Sequence, residues 1–184
     1  GQATVEIEEC HRMSTDSGVA GTFHSNCDNQ GPTLTVVRSS GGHLFGAYTE
    51  TSFGSSGSYR PSAGSFLFCL DCAGERHTPR MLPVIAGKEG NALYDGSSYG
   101  PTFGDGFDLR ITNVPGSGAS SYSKLGSTFE CPSDIGVAGS TACKEYFTGS
   151  NSFVVADYAV YTMYAHSLPN LVEGEKASAE DTTA

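Results

Sequence analysis

Six cysteines, at positions 10, 27, 69, 72, 131 and 143, carry the most reactive side chains in this chain of 184 residues. In a chain with 24 glycines they read as disulfides, which implies an oxidising, secreted setting. Cys69-Leu70-Asp71-Cys72 is half of a zinc site, but no second Cys-x-x-Cys or paired histidine completes it. A redox Cys-x-x-Cys opens a helix, whereas Asp71-Cys72-Ala73-Gly74-Glu75 reads as a turn after the strand-like Phe66-Leu67-Phe68-Cys69-Leu70. Cys131 and Cys143 flank a stretch containing Pro132, Gly136 and Gly139, and a loop of that size closes easily, so these two are paired.

Carboxylates beside glycine-rich loops are the next candidates. Calcium takes roughly six to eight oxygens from carboxylates, carbonyls and water. Glu50, Asp95 and Asp105 could supply some of them, against the plainer reading of three solvated loop acids. Sugar sites combine planar hydrogen-bonding groups with an apolar face, usually on loops. Arg60, Tyr99, Asn91, His43 and Tyr59 have the right chemistry, and each also reads as an ordinary loop or rim residue. Asp108 sits in a strand-like run and reads as a structural acid hydrogen-bonded to backbone. Nucleophilic catalysis finds little support: Gly54-Ser55-Ser56-Gly57-Ser58 reads as a flexible loop rather than a strand-to-helix elbow. Gly100 to Gly106 lacks the Lys-Ser/Thr of a phosphate loop. The expectation is that the chain is not an enzyme.

Net charge narrows the partners. Lys and Arg total 10 against 20 Asp and Glu, a balance of −10. Nucleic acid and anionic membrane surfaces both need a basic face, so neither is expected. No apolar run approaches the roughly 20 residues that cross a bilayer, so no membrane insertion is expected. A start at Gly1-Gln2 suggests a processed N-terminus.

The elements that position these residues are mostly strands. Thr33 to Arg38 alternates polar and apolar, then Ser39-Ser40-Gly41-Gly42 turns into His43 to Thr49, which reads as a hairpin. Phe66–Leu70, Pro83–Ala86, Ala92–Tyr94 and Phe107–Ile111 are further candidates, and Phe153 to Tyr164 is the longest. Ser14 to His24 is the one early helix candidate, shortened by two glycines. Short strands separated by turn signals predict a mostly β chain: a two-sheet antiparallel β-sandwich with short edge helices. Residues 1–11 read as an N-terminal extension, 12–168 as one domain, and 169–184 as an acidic, disordered tail.

Several of these segments resemble motifs of the TLDc domain family in the right order. Phe23 to Thr35 is similar to its opening motif, Phe45-Gly46-Ala47-Tyr48-Thr49 to its Phe-Gly-Gly-Tyr-Thr, and Ser65 to Leu70 to its Ala-Phe-Leu-Phe-Ser-Leu. Gly100-Pro101-Thr102-Phe103-Gly104-Asp105-Gly106-Phe107-Asp108-Leu109 resembles Gly-Pro-Thr-Phe-Gly-Gly-Gly-His-Asp-Leu, with Asp105 replacing Gly and Phe107 replacing His. The resemblance spans about residues 12 to 164 and implies a TLDc-like antiparallel sandwich. Cytosolic members are associated with oxidation resistance and proton-pump regulation. This chain departs from them in its cysteines and in Ala159, where an acidic residue is usual.

In size, start and cysteine usage the chain also resembles a galactose-binding lectin of the sea-anemone type. That resemblance implies calcium-assisted binding of galactose-type glycans and a disulfide-linked homodimer. Cys27, in the opening motif, then pairs with Cys69 or Cys72, Cys72 being favoured because it lies beyond the strand end. Cys10 joins a second chain and Cys69 stays a free buried thiol; three internal bonds in a monomer remain the alternative. The functional expectation is a secreted lectin; the alternative is a protein-interaction module resembling the cytosolic TLDc proteins.

Overall fold

The computed structural model describes residues 3–73, 79–118 and 120–167. The expected acidic tail, 169–184, lies outside them. In chain order the strands are β1 (Ala3–Arg12), β2 (Thr33–Ser39), β3 (Leu44–Thr49), β4 (Ser58–Arg60), β5 (Phe66–Asp71) and β6 (Arg80–Pro83), followed by β7 (Leu93–Asp95), β8 (Thr102–Phe103), β9 (Leu109–Arg110), β10 (Ser121–Ser123), β11 (Ser152–Phe153) and β12 (Val155–Ser167). Three short helices interrupt them: α1 (Met13–Asp16), α2 (Ala20–Cys27) and α3 (Thr141–Lys144). The strands form two six-stranded antiparallel sheets, β1-β12-β2-β3-β5-β6 and β11-β10-β9-β8-β7-β4. The expected mostly β sandwich with short helices is therefore the fold.

Alternation along the strands builds the core. Val37, Phe45 and Leu67 point inward from the first sheet; Leu93, Phe103 and Leu109 do so from the second, all fully buried. Aromatic edges bind the layers: Phe45 of β3 meets Phe153 of β11 with ring centroids 5.3 Å apart. Strands β2 and β3 pack so closely at Gly46 that a side-chain carbon there would strike the Thr35 carbonyl oxygen and the Phe68 ring. Helix α2 buries Ala20, Phe23, His24 and Cys27, positions three and four apart that share one face.

The N-terminal residues are not an appendage. Residues 3–12 form an edge strand paired with β12, and the register shifts between Glu9 and His11. Cys10 is the extra residue of that bulge. His11, next to it, is fully buried between the Phe23 and Tyr158 rings.

This corrects the cysteine map. Cys10 bonds to Cys27 at the end of α2, within the chain rather than to a second chain. Cys27 therefore does not pair with Cys72. Strand β5 ends and turns so that Cys72 comes back to Cys69, with Cα atoms 5.8 Å apart, and Cys69 is not a free thiol. Cys131–Cys143 forms as expected. All six cysteines are consumed internally, which leaves none for the covalent homodimer.

Candidate functional site

The outer face of the second sheet is set by register. Leu93 and Asp95 of β7 are buried, so Tyr94 points outward; Leu109 of β9 is buried, so Arg110 does; Ser121 and Ser123 of β10 are buried, so Tyr122 does. Pairing places Tyr59 of β4 opposite Tyr94, and Tyr122 opposite Arg110. Strand β8 offers nothing outward, because Thr102 and Phe103 are both buried. Tyr99, from the loop before β8, and Phe107, from the turn after it, cover that gap.

The result is a strip of five rings. Centroids lie 5.0 Å apart for Tyr59–Tyr94, 5.1 Å for Tyr94–Phe107, 5.9 Å for Tyr99–Phe107 and 6.2 Å for Phe107–Tyr122. The Arg110 guanidinium lies 4.0 Å over Tyr99 and 5.1 Å over Tyr122, and donates to the Tyr122 hydroxyl at 3.3 Å. Lys124 follows, 5.2 Å over Tyr122. Phe107 holds its ring there with φ +68°, a left-handed backbone that bulky side chains rarely adopt. Such strain persists only where surrounding contacts enforce it, and it concentrates at functional sites.

Here the neighbouring Asp108 enforces it. Its carboxylate, fully buried, accepts from the N–H groups of Gly126, Ser127, Thr128 and Phe129. Burial pushes its pKa up to about 6 against the opposing pull of those amides. Gly104 must be glycine: it has φ +81°, and a side-chain carbon there would strike the Asp108 carboxylate. The expected structural role of Asp108 is what the turn shows.

A second constellation lies next to the strip. Asp95, fully buried, accepts from Gly54 and Ser55 on one oxygen and from Ser56 on the other, at 2.8–3.1 Å. Burial opposes ionisation, yet those donors hold its pKa below the ordinary value. Segment 54–58, expected to be flexible, is therefore pinned. Arg60 donates to the Ser52 carbonyl at 2.8 Å and reaches Asp95 at 3.5 Å. Ser55 Oγ donates to Asp28 at 2.6 Å, while Asp28 sits 2.8 Å from His24 Nδ1. His24 Nε2 faces the Tyr99 carbonyl at 3.0 Å. A nucleophile triad needs serine on the histidine, with the carboxylate on the far ring nitrogen. Here serine meets the carboxylate, so this is a strut.

The proposed calcium ligands do not converge. Among the described residues the one group of three ligand-type side chains is His24, Asp28 and Asp95. It includes a nitrogen donor, and its oxygens are already occupied by loop donors, a poor match for a hard cation. Glu50 instead accepts from the Gly64 N–H at 2.8 Å. Asp105 is exposed beside the Tyr59 hydroxyl, which burial first and then this neighbouring acid push above its ordinary pKa.

Of the sugar-type candidates, Tyr59 and Tyr99 stand on the strip, and Arg60 braces the loop behind it. Asn91 belongs to a one-turn 3-10 helix, Glu89–Asn91, and His43 to the β2–β3 turn of the other sheet, so the structure does not bring those two to the strip. Tyr94, Phe107, Arg110, Tyr122 and Lys124 join Tyr59 and Tyr99 on the strip, beyond the residues that the sequence nominates. Sequence offered one signal, Phe107 in place of a family histidine; the others emerge only from strand register.

Residues 2–163 match the family model described as the TLDc domain. The chain belongs to the TLDc domain family. No curated protein matches the chain. Among the described residues of this TLDc domain, no helix is long and apolar enough to cross a membrane.

Proposed function

We propose that this TLDc protein is a secreted, non-enzymatic lectin that binds galactose-type glycans on the aromatic strip of its second sheet. The strip carries the reading. Galactose presents a continuous patch of C–H groups on one ring face, below its axial hydroxyl, and such a patch stacks on an exposed aromatic ring. Tyr59, 36% exposed and flanked by Tyr94 and Asp105, offers both a ring and polar partners at its edge. Three disulfides support an extracellular setting. Calcium is not needed for this reading, because Glu50 and Asp95 are spent on backbone donors.

The test is retention on galactosyl-agarose with elution by free galactose. Wild-type protein is retained in calcium and in EDTA; Tyr59→Ala, away from the buried core, flows through. Flow-through of wild-type protein in both buffers overturns the lectin reading. Loss of retention in EDTA alone restores the calcium part.

A protein-interaction role has one observation in its favour. Val5 and Ile7 on edge strand β1 are each 53% exposed. Changing both to serine leaves retention on the resin intact under the lectin reading.

A further inference from the structure

Arg110 is the odd charge on the strip. In a chain of net −10, cations should find carboxylates. Yet among the described residues Arg110 has no carboxylate partner, and its guanidinium is held by rings alone: Tyr99, Tyr122 and, at 5.8 Å, Phe107. Its Nε is buried without a hydrogen-bond partner, and Nη1 donates to the Tyr122 hydroxyl. Nη2 and the remaining Nη1 hydrogen are left as a fixed pair of donors. Lys124, exposed and likewise without a carboxylate partner among the described residues, lies 5.2 Å from the centroid of the same Tyr122 ring. An open groove of about 340 Å³ runs from there, lined by Tyr122, Ser123, Lys124, Asn151 and Ser152. The acid of this face, Asp105, is at the opposite, Tyr59 end.

We infer that Arg110 and Lys124 form an anion subsite that takes the carboxylate of a uronate, so that the preferred glycan is galacturonate-type rather than neutral galactose. This rests on the lectin reading and deepens it. Tyr59 and Tyr122 are separated by two further rings, so the uronate at Arg110 is a second sugar of the same chain as the one stacked on Tyr59, and it offers a planar carboxylate at its C6 position. A guanidinium stacked between rings is preorganised, so little side-chain freedom is lost when two parallel N–H···O bonds form. The neighbouring groove leaves room for the next sugar of a chain, with the Asn151 amide and Ser152 hydroxyl as neutral partners.

The experiment compares trigalacturonate with its fully methyl-esterified form by isothermal titration calorimetry at constant salt. Esterification removes the charge and keeps the sugar. Wild-type protein binds the acid at least about tenfold tighter than the ester, as a charge-assisted bidentate contact implies. Arg110→Gln binds both alike, at the ester's affinity, while Lys124→Gln loses only about two- to threefold on the acid. Arg110→Lys, which keeps the charge and loses the fork, recovers less than half of the preference in free energy and serves where Arg110→Gln does not fold. Equal affinity of wild-type protein for acid and ester overturns the subsite and leaves the lectin reading standing. Binding of neither sugar overturns the subsite, and flow-through on galactosyl-agarose beside it overturns the lectin reading as well.

Discussion

Asp95 and Asp108 use one device in two places, and their pKa values move in opposite directions. Each is fully buried, and each gathers the N–H groups of a glycine-containing loop: 54–56 for Asp95 and 126–129 for Asp108. Asp95 has its pKa pulled below normal, whereas Asp108 is pushed up to about 6. The difference lies in what surrounds the amides. Ser55 and Ser56 are exposed, so water softens the cost of the charge, and Arg60 lies 3.5 Å from Asp95. Of the four Asp108 donors Ser127 is exposed and Gly126 half-buried, but Thr128 and Phe129 are buried, and among the described residues no cation pairs with Asp108. Hydrogen-bond number is thus a poor guide to a buried carboxylate; desolvation is the largest influence on both acids and sets the direction for Asp108.

The comparison breaks most visibly on truncation. Asp108→Ala leaves the Thr128 and Phe129 amides buried without an acceptor and is expected to cost about 4 kcal/mol. It also releases the turn that holds Phe107, so binding to galactosyl-agarose falls with it. Urea unfolding followed by circular dichroism measures the first effect, and a midpoint within error of wild type would refute the account.

Acidity sharpens the contrast next. Asp108 has a folded pKa near 6, above its unfolded model value of 3.8. The folded state therefore holds the extra proton between those values. Its stabilising contribution is full below about 3.8 and lost as pH rises through about 6. Asp95, with a lowered folded value, contributes above its unfolded pKa and loses that contribution as pH falls through its folded one. Against Asp108→Asn, which does not titrate, wild-type protein should gain about 2–3 kcal/mol between pH 7 and pH 4. Against Asp95→Asn it should hold its margin over the same interval and lose it only as pH falls below the unfolded value of about 3.8. Parallel pH profiles for the two pairs would show that burial does not separate the sites.

Asp95→Ala is milder than Asp108→Ala, at about 2 kcal/mol, because water can reach the Ser55 and Ser56 amides that lose their acceptor. Hydrogen exchange at 54–58 should accelerate while that at 126–129 does not. Equal acceleration in both loops would mean they are one cooperative unit.

How far all this could be read beforehand depends on whether the pattern was local. The hairpin 33–49, β5 and the long final strand carried their own alternation or apolar runs, and the TLDc-like segments fixed their order. Asp108 stood out because a lone acid in a strand needs backbone donors. Strand β1 stayed hidden because Val5 to Glu9 are exposed on both faces, as befits an edge, and alternation that buries nothing looks like a tail. That omission also misled the cysteines, since Cys10 meets Cys27 only once β1 is laid on β12. The strip was half visible: Tyr59 and Tyr99 could be chosen for chemistry, but Tyr94, Arg110 and Tyr122 become neighbours only through register across β4, β7, β9 and β10. A two-residue strand such as β9 is too short to announce its pairing.

The smallest effect tests the cation at Asp95. Arg60 is about one-third exposed and sits 3.5 Å from the carboxylate, while its firmer bond, at 2.8 Å, goes to the Ser52 carbonyl. A half-solvated ion pair at that distance contributes at most about 1 kcal/mol. Arg60→Gln keeps a donor long enough to approach Ser52 and removes only the charge. Stability at pH 7 should fall by less than about 1 kcal/mol, and the Asp95 titration, followed by carboxyl carbon NMR, should move upward towards that of Asp108 without reaching it. The three loop amides remain in place and continue to favour the ionised form. An Asp95 pKa unmoved by the substitution would assign the whole difference between the two acids to the exposure of their donors, and a pKa near 6 would assign it to Arg60 alone.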